Sequence, residues 1–327
     1  MKVETRTSMA SMAAASLLLI LANTSNAFAP QIILPHTSTS HISTSTSTTI
    51  ALSMLLSKNK AIGKSKSIKK KDLAKRLLKS SHQETDISIL TKHDKEEFVN
   101  VLADSFSEDP LFQWVANLPE ESSDGTTAPV STSISITPAK RHDTLVDLNT
   151  YIFGLNAMTL KRGTVMGVKD SDDCIQGVMC VIPSGSRMVT GWDIIRHILK
   201  KGLPPMYRLK TKADYGKMST KRLDSLYAMT KRRKTLMKSY PQWIYLQTIG
   251  VNRLHQGKGV GGKLLRSLIA AADASQAAIY LETESADNEA LYKHFGFRTL
   301  EMIELFAPGD KSEDSHFSCY LMVRDPK

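Results

Sequence analysis

The 327-residue chain has little cysteine, few aromatic side chains and, near its start, almost no acidic residues. Its three cysteines, Cys174, Cys180 and Cys319, form no Cys-x-x-Cys pair and no zinc spacing. A disulfide framework and a thiolate metal site are thereby excluded, and reduced cysteines acting as small hydrophobes are expected. No metal is expected in any site. Aromatic residues amount to 6%. In the most basic stretch Trp192, Tyr207, Tyr215, Tyr227 and Tyr240 lie too far apart to stack nucleic-acid bases, so no nucleic-acid partner is expected. The N-terminal apolar run, Met9 to Ala22, is shorter than the ~20 residues of a membrane span, and no transmembrane segment is expected in the mature chain.

Between Glu4 and Asp72 there is no acidic residue. Residues 1–82 hold 12 Lys/Arg against 2 Asp/Glu, whereas residues 83–327 hold 31 against 30. The formal charge of +11 therefore belongs to the N-terminal segment and says little about what the folded part binds. Lys2 and Arg6, the short apolar core, and the small residues Ser25 and Ala27 read as a signal peptide over 1–27. Residues 28–82, rich in Ser and Thr and then in Lys, read as a disordered, transit-like segment. Together they resemble the bipartite presequences of algae with secondary plastids, Asn26-Ala27-Phe28-Ala29-Pro30 standing at the junction. That resemblance implies a plastid (chloroplast) location, with the secretory pathway as the alternative.

Order is expected to begin near Thr85, with residues 83–327 forming the folded domain. Asp86 to Ile89 alternates like a short strand. Asp94 can cap a helix from Lys95 to about Phe106, which Pro110 stops. Leu118 to Pro138 is polar and reads as a long surface loop. Val146 to Leu160 has helical spacing, and Gly163–Val168 and Cys174–Ile182 read as strands. The stretch 192–240 carries 14 Lys/Arg against 3 acidic residues. It reads as a basic helical insert of two or three helices, with Lys231-Arg232-Arg233-Lys234 on a solvated face.

Chemistry concentrates after this insert. Trp243 to Val251 is a strand by composition. After a short linker come Gln256-Gly257-Lys258-Gly259-Val260-Gly261-Gly262, and then Lys263 to Ala270 with Leu264, Leu265, Leu268 and Ile269 on one helical face. Four glycines in six positions let main-chain N–H groups converge on an anion, and the following helix adds the positive end of its dipole. Lys258 and Lys263 would add charge at the rim. A Walker loop is excluded because Gly259, not Ser or Thr, follows Lys258. The dinucleotide spacing is met by Gly257, Gly259 and Gly262, but too little chain follows to build a doubly wound sheet.

Gln256, Gly259 and Gly261 also fit Q/R-x-x-G-x-G/A, and here the chain resembles the GNAT superfamily of acyl-CoA N-acyltransferases. The resemblance continues through the strand-like Ala278–Thr283, through Asn288-Glu289-Ala290-Leu291-Tyr292, and through Phe295-Gly296-Phe297 into two last strands. It implies an α+β (α/β/α) fold with a mixed, mostly antiparallel central sheet and flanking helices. It implies binding of acetyl-CoA by Ile249, Gly250, Val251, Gln256, Gly257, Lys258, Gly259, Val260, Gly261, Gly262 and Asn288, with the main-chain N–H groups of Ile249 and Val251 at the thioester. Asn288 would contact the cofactor or cap its helix. Tyr292 takes the position of the general acid for the departing thiolate. Glu282 and Glu284 are the candidate bases, since Gln247 cannot accept a proton.

The activity so implied is transfer of an acetyl group from acetyl-CoA to a primary amine, by direct attack on the thioester. The basic insert would wall the acceptor site and favour a small amine, an amino acid or an acidic compound over polyamines and basic peptides. A protein N-terminal or lysine acetyltransferase and a non-catalytic CoA-sensing module are the alternatives.

Overall fold

The computed structural model describes residues 68–80, 86–116, 138–157, 159–186, 191–202, 213–310 and 315–327. The expected signal peptide, most of the transit-like segment and the polar stretch 118–137 lie outside them. In chain order the elements are α1 (Lys70–Ser80), β1 (Ile87–Ile89), α2 (Lys95–Ser105), α3 (Pro110–Ala116), α4 (Pro138–Asn156), α5 (Thr159–Arg162), β2 (Thr164–Lys169), β3 (Ile175–Pro183), α6 (Gly191–Lys201), α7 (Ala213–Ser225), α8 (Tyr227–Leu236), β4 (Trp243–Val251), α9 (Val260–Asp273), β5 (Ala278–Thr283), α10 (Ala286–His294), β6 (Arg298–Phe306) and β7 (His316–Arg324).

Seven strands form one sheet in the order β1-β2-β3-β4-β5-β7-β6. Every pairing is antiparallel except β4 with β5, which are joined by the crossover helix α9. This is the mixed, mostly antiparallel GNAT-like sheet with flanking helices that was expected. One face carries α9 and α1, whose Leu264, Leu268, Leu73 and Leu77 bury against Met179, Val181, Ile244, Ile279 and Leu281. The other face carries α2 and α4, with Phe98, Leu102 and Phe153 against Val165, Val178 and Cys180. Farther along that face Trp114 of α3 and Leu223 of α7 meet Leu305 and Cys319.

Several boundaries differ from expectation. The folded chain begins before residue 83, because α1 is part of the core: Leu73 and Leu77 are fully buried. They stand four residues apart on one face of the helix, while Lys71, Lys75, Arg76 and Lys79 face solvent. Average composition over a segment hides such a stripe. Helix α2 starts at Lys95 as expected, but Asp94 does not cap it. Its carboxylate turns back to accept from the Thr91 N–H at 2.6 Å and from Lys169 Nζ at 2.9 Å. Pro110 opens α3 rather than closing α2; proline fits a first helical turn, where its missing N–H has no intrahelical partner to lose. Helix α4 begins at Pro138, well before Val146. Cys180 and Cys319 are buried as expected, but Cys174 is exposed.

Truncating Leu77 to Ala should cost about 2–5 kcal/mol of unfolding free energy, as for a fully buried leucine. Urea denaturation followed by circular dichroism measures it, and a loss near zero would place α1 outside the folding unit.

Candidate active site

The site begins with a parallel pairing that stops early. β4 and β5 share only the pairs Trp243–Ala278, Ile244–Ile279 and Tyr245–Tyr280, although β4 runs on to Val251 and β5 to Thr283. Past Tyr245 the strands diverge. On its other edge β4 stays paired with β3, but the register jumps: Val181 faces Leu246 and Cys180 faces Thr248, so Gln247 is an extra residue in a β-bulge. The bulge reverses the alternation of side chains. Before it Ile244 and Leu246 pack under α9; after it Ile249 and Val251 do so. Gln247 is held at the bulge by the Thr159 hydroxyl, which donates to its Oε1 at 2.7 Å. Gly250 faces α2, where a Cβ would lie 2.3 Å from Ser105 Oγ, so only glycine lets helix and strand approach this closely.

A cleft of about 900 Å³ follows the splay. At one end lies the turn before α9. Gly259 is the residue preceding this helix; its φ of +81° is the left-handed conformation that glycine adopts freely, and no side chain caps the helix. The first-turn N–H groups of Val260, Gly261 and Gly262 thus have no side-chain acceptor. Cβ atoms at Gly257 or Gly259 would meet nothing within 4 Å, which leaves open space for a bulky anion. Of the residues expected to bind the cofactor, Ile249, Gly250, Val251, Gln256, Gly259, Gly261, Gly262 and Asn288 line the cleft. Gly257 and Lys258 lie on the turn outside the lining, and the Val260 side chain is buried in the core, so Val260 can offer only its main chain. Lys263 does not add charge at the rim; its Nζ pairs with Asp86 at 2.8 Å.

The other end of the cleft holds the titratable groups. Helix α10 starts at Ala286, and Ser285 caps it by accepting from the Asn288 N–H at 3.0 Å. Asn288 is thus freed from capping, and its side chain faces the cleft. One turn on, Tyr292 lines the same space with its ring edge-on to Phe297 at 5.6 Å. Burial, and then the nearby Glu284 carboxylate, push the Tyr292 phenol above its ordinary range, so it holds its proton at neutral pH.

Glu282 lines the cleft but is poorly placed to act as a base. Its carboxylate accepts from Arg233 Nη1 at 2.8 and 3.2 Å and from the Tyr245 hydroxyl at 2.5 Å. The Arg233 guanidinium also sits over the Tyr245 ring, 4.0 Å from its centroid. Both members of the ion pair are about nine-tenths buried, at 6% and 10% side-chain exposure. The expected solvated run 231–234 is therefore divided: Arg233 points inward to Glu282, and Arg232 pairs with Glu301.

Glu284, immediately past β5, carries the unsatisfied acidity. It hydrogen-bonds Asp109, and burial, followed by repulsion from Asp109, pushes its carboxyl up. Asp109 is also raised, by burial first. Two carboxyls that interact in a cleft do not both ionise readily. Asp109 precedes α3 and caps it, accepting from the Phe112 N–H at 3.2 Å. Two contacts hold it in place. Buried Asn149 of α4 donates to the Phe106 carbonyl at 2.8 Å, and buried Arg222 of α7 donates to the Trp114 carbonyl while pairing with Asp310 at 2.7 Å. The insert thus positions the acidic pair. Among the described residues no group of His, Cys, Asp and Glu could hold a metal ion, and no helix is long and apolar enough to cross a membrane.

Residues 227–297, which span α8 through α10, match the model of one protein family. It is the Acetyltransferase (GNAT) family. An uncharacterized N-acetyltransferase of Schizosaccharomyces pombe is 28% identical over 168 residues, which are 51% of this chain and 61% of that protein. The chain thus matches less than two thirds of the length of this curated relative. Among solved structures, arylalkylamine N-acetyltransferase 2 from Aedes aegypti is similar at 14% identity and a TM-score of 0.45, over 74% of this chain and 98% of that one. A histone acetyltransferase and related acetyltransferase from Corynebacterium glutamicum is similar at 20% identity and a TM-score of 0.40, over 74% and 96%. The fold assignment rests on strand order and register rather than on these overlays.

The GNAT-matching segment contains the loop, the splay and Tyr292, all of which have local sequence patterns. Asp109 lies far upstream, outside the segment. Its only local signal is Asp-Pro ahead of an apolar turn, which reads as a helix start and says nothing of Glu284.

Removing one member of the buried ion pair, in Arg233→Met or Glu282→Leu, should destabilise the protein by about 3–5 kcal/mol, because a charge is left buried without its partner. The double variant should cost less than either single change. A double-mutant cycle in urea tests this, and additive losses would mean the two groups do not interact.

Proposed function

We propose that this protein is a GNAT-type N-acetyltransferase that moves an acetyl group from acetyl-CoA to a primary amine. The observation that carries the reading is the presence, in one cleft, of an anion-receiving helix start, an unpaired strand edge, a protonated phenol and a carboxyl pair. Acetyl-CoA supplies the thioester carbonyl and a thiolate leaving group. The first-turn N–H groups of Val260 to Gly262 fit its pyrophosphate. Main-chain N–H groups on the splayed edge of β4, at Ile249 and Val251, hold the acyl end and favour charge on the carbonyl oxygen. Of the two candidate bases Glu284, with Asp109, takes the role rather than Glu282: their carboxyl pair accepts the proton lost by the attacking amine. Tyr292 gives its proton to the departing sulfur. One C–N bond forms, one C–S bond breaks, and one proton passes at each side.

The match to the GNAT family and the relative's description as an N-acetyltransferase support this reading. For location we propose plastid import directed by the N-terminal segment, with processing before Lys70 because α1 belongs to the core. A fluorescent fusion of residues 1–69 should enter the plastid of an alga with a secondary plastid; secretion would support the alternative.

Acetyl-CoA should bind the full chain saturably in calorimetry, and the Gly259→Glu, Gly261→Glu variant should lose that binding. Tyr292→Phe should keep it while lowering kcat by about 10²-fold. The raised pair sets the sign of the pH dependence: kcat/KM should fall as pH drops, with a midpoint above the ordinary carboxylate range. In Glu284→Gln the midpoint should move down, since the carboxyl that burial and Asp109 push up to about 9 is gone and Asp109 titrates alone. Failure of a folded protein to bind acetyl-CoA would overturn the reading.

A further inference from the structure

Resting on the proposed acetyl transfer, we infer that the acceptor is a monoamine with an apolar body and no carboxylate beside its amine. Two of the carboxylates lining the cleft already have a cationic partner. Glu282 is paired with Arg233, and Glu108 with Arg253 at 2.6 Å. Asp104 accepts the Arg253 main-chain N–H at 3.2 Å. The arginines of the insert that point inward are likewise occupied, Arg233 by Glu282 and Arg222 by Asp310 and the Trp114 carbonyl. The insert therefore presents no free cation from these two positions to attract an acidic acceptor.

What remains is the Asp109–Glu284 pair. Among the described residues neither carboxyl has an ion-pair partner; burial raises both, and Asp109 raises Glu284 further. With one carboxyl protonated the pair carries one negative charge, which one ammonium group would neutralise. A carboxylate next to that ammonium would meet like charge in a sheltered site, where repulsion is strong. A second ammonium farther along the molecule would meet Glu282 and Glu108, both already paired with arginines.

The neighbouring wall is apolar. Phe106, Phe112 and Phe153 form a three-ring cluster with centroids 5.1–5.5 Å apart, and all three line the cleft together with Leu111 and Met229. Ring faces and a carboxylate together suit an ammonium carried on a hydrophobic body. This narrows the expectation from the basic composition of the insert, which favoured a small amine, an amino acid or an acidic compound over polyamines: the small amine stays and the other two drop out. Three of the cationic heads that set that composition, Arg222, Arg232 and Arg233, are spent on carboxylates within the fold.

The test compares acceptors that differ in one feature, using the full chain and acetyl-CoA. Phenylethylamine and phenylalanine differ by a carboxylate; putrescine carries a second ammonium in place of the ring. The kcat/KM for phenylethylamine should exceed that for each of the others by about tenfold or more, the order expected when a buried charge is left opposed or unmatched. The double variant Asp109→Asn, Glu284→Gln should shrink the preference over phenylalanine, because the site then carries no charge to repel the amino-acid carboxylate. Phe112→Ala should raise KM for phenylethylamine more than for putrescine, and it stands as the second probe if the double variant disturbs α3. Faster turnover of phenylalanine or putrescine than of phenylethylamine would overturn the inference and leave acetyl transfer intact. Saturable acetyl-CoA binding with no amine acetylated would also overturn it. Absence of acetyl-CoA binding would instead sink the underlying reading.

Discussion

β4 and β5 are parallel neighbours that part after three residue pairs, and the chemistry depends on that parting. Main-chain N–H and C=O groups inside a sheet normally satisfy one another, and leaving a strand edge unpaired away from water is costly. Here the unpaired edge of β4 opens into a cleft, where water or a polar ligand can take the place of the missing strand. The bulge at Gln247 keeps β4 joined to β3 while the other edge is released. It also turns Ile249 and Val251 toward α9, so the strand stays anchored in the core after it has left its parallel partner.

Both ends of the cleft inherit their positions from this geometry. The turn leaving β4 delivers the uncapped start of α9 to one end, and the turn leaving β5 delivers α10, with Asn288 and Tyr292, to the other. Because the strands diverge, the two helix starts stand apart, and an elongated molecule can lie between them. The glycine turn and the titratable groups then need no special loop to relate them; the sheet does so.

Charge is distributed by the same economy of burial. Arg222, Arg232 and Arg233 come from a segment whose composition suggests a solvated basic face, yet they tie the insert to the sheet and to the chain after β6. Their carboxylate partners, Asp310, Glu301 and Glu282, are consumed in turn. The acidic pair at Asp109 and Glu284 stands out because its neighbours are matched and it is not. A buried charged group without an opposite charge shifts its protonation, and such groups mark places where a ligand or a proton is handled.

The local parts of this protein were legible in its residues. Trp243–Val251 as a strand, the glycine turn and helix from Val260, Ala278–Thr283 as a strand, and the helix carrying Tyr292 each depend on neighbours within a few positions, and each has its own period or turn chemistry. Start signals were less secure, since Asp94 and Pro110 are residues whose role depends on partners brought by other elements. Tertiary structure alone decided the rest. Only packing shows that Leu73 and Leu77 belong to the core, because a two-leucine stripe is weak until a complementary face exists. Only the fold brings Asp109 to Glu284 and Arg233 to Glu282, across 175 and 49 positions of chain. Side-chain pairing at such separations leaves no periodic trace in a single sequence. It is this pairing that occupies Glu282 and sets the acidic pair beside it in the cleft.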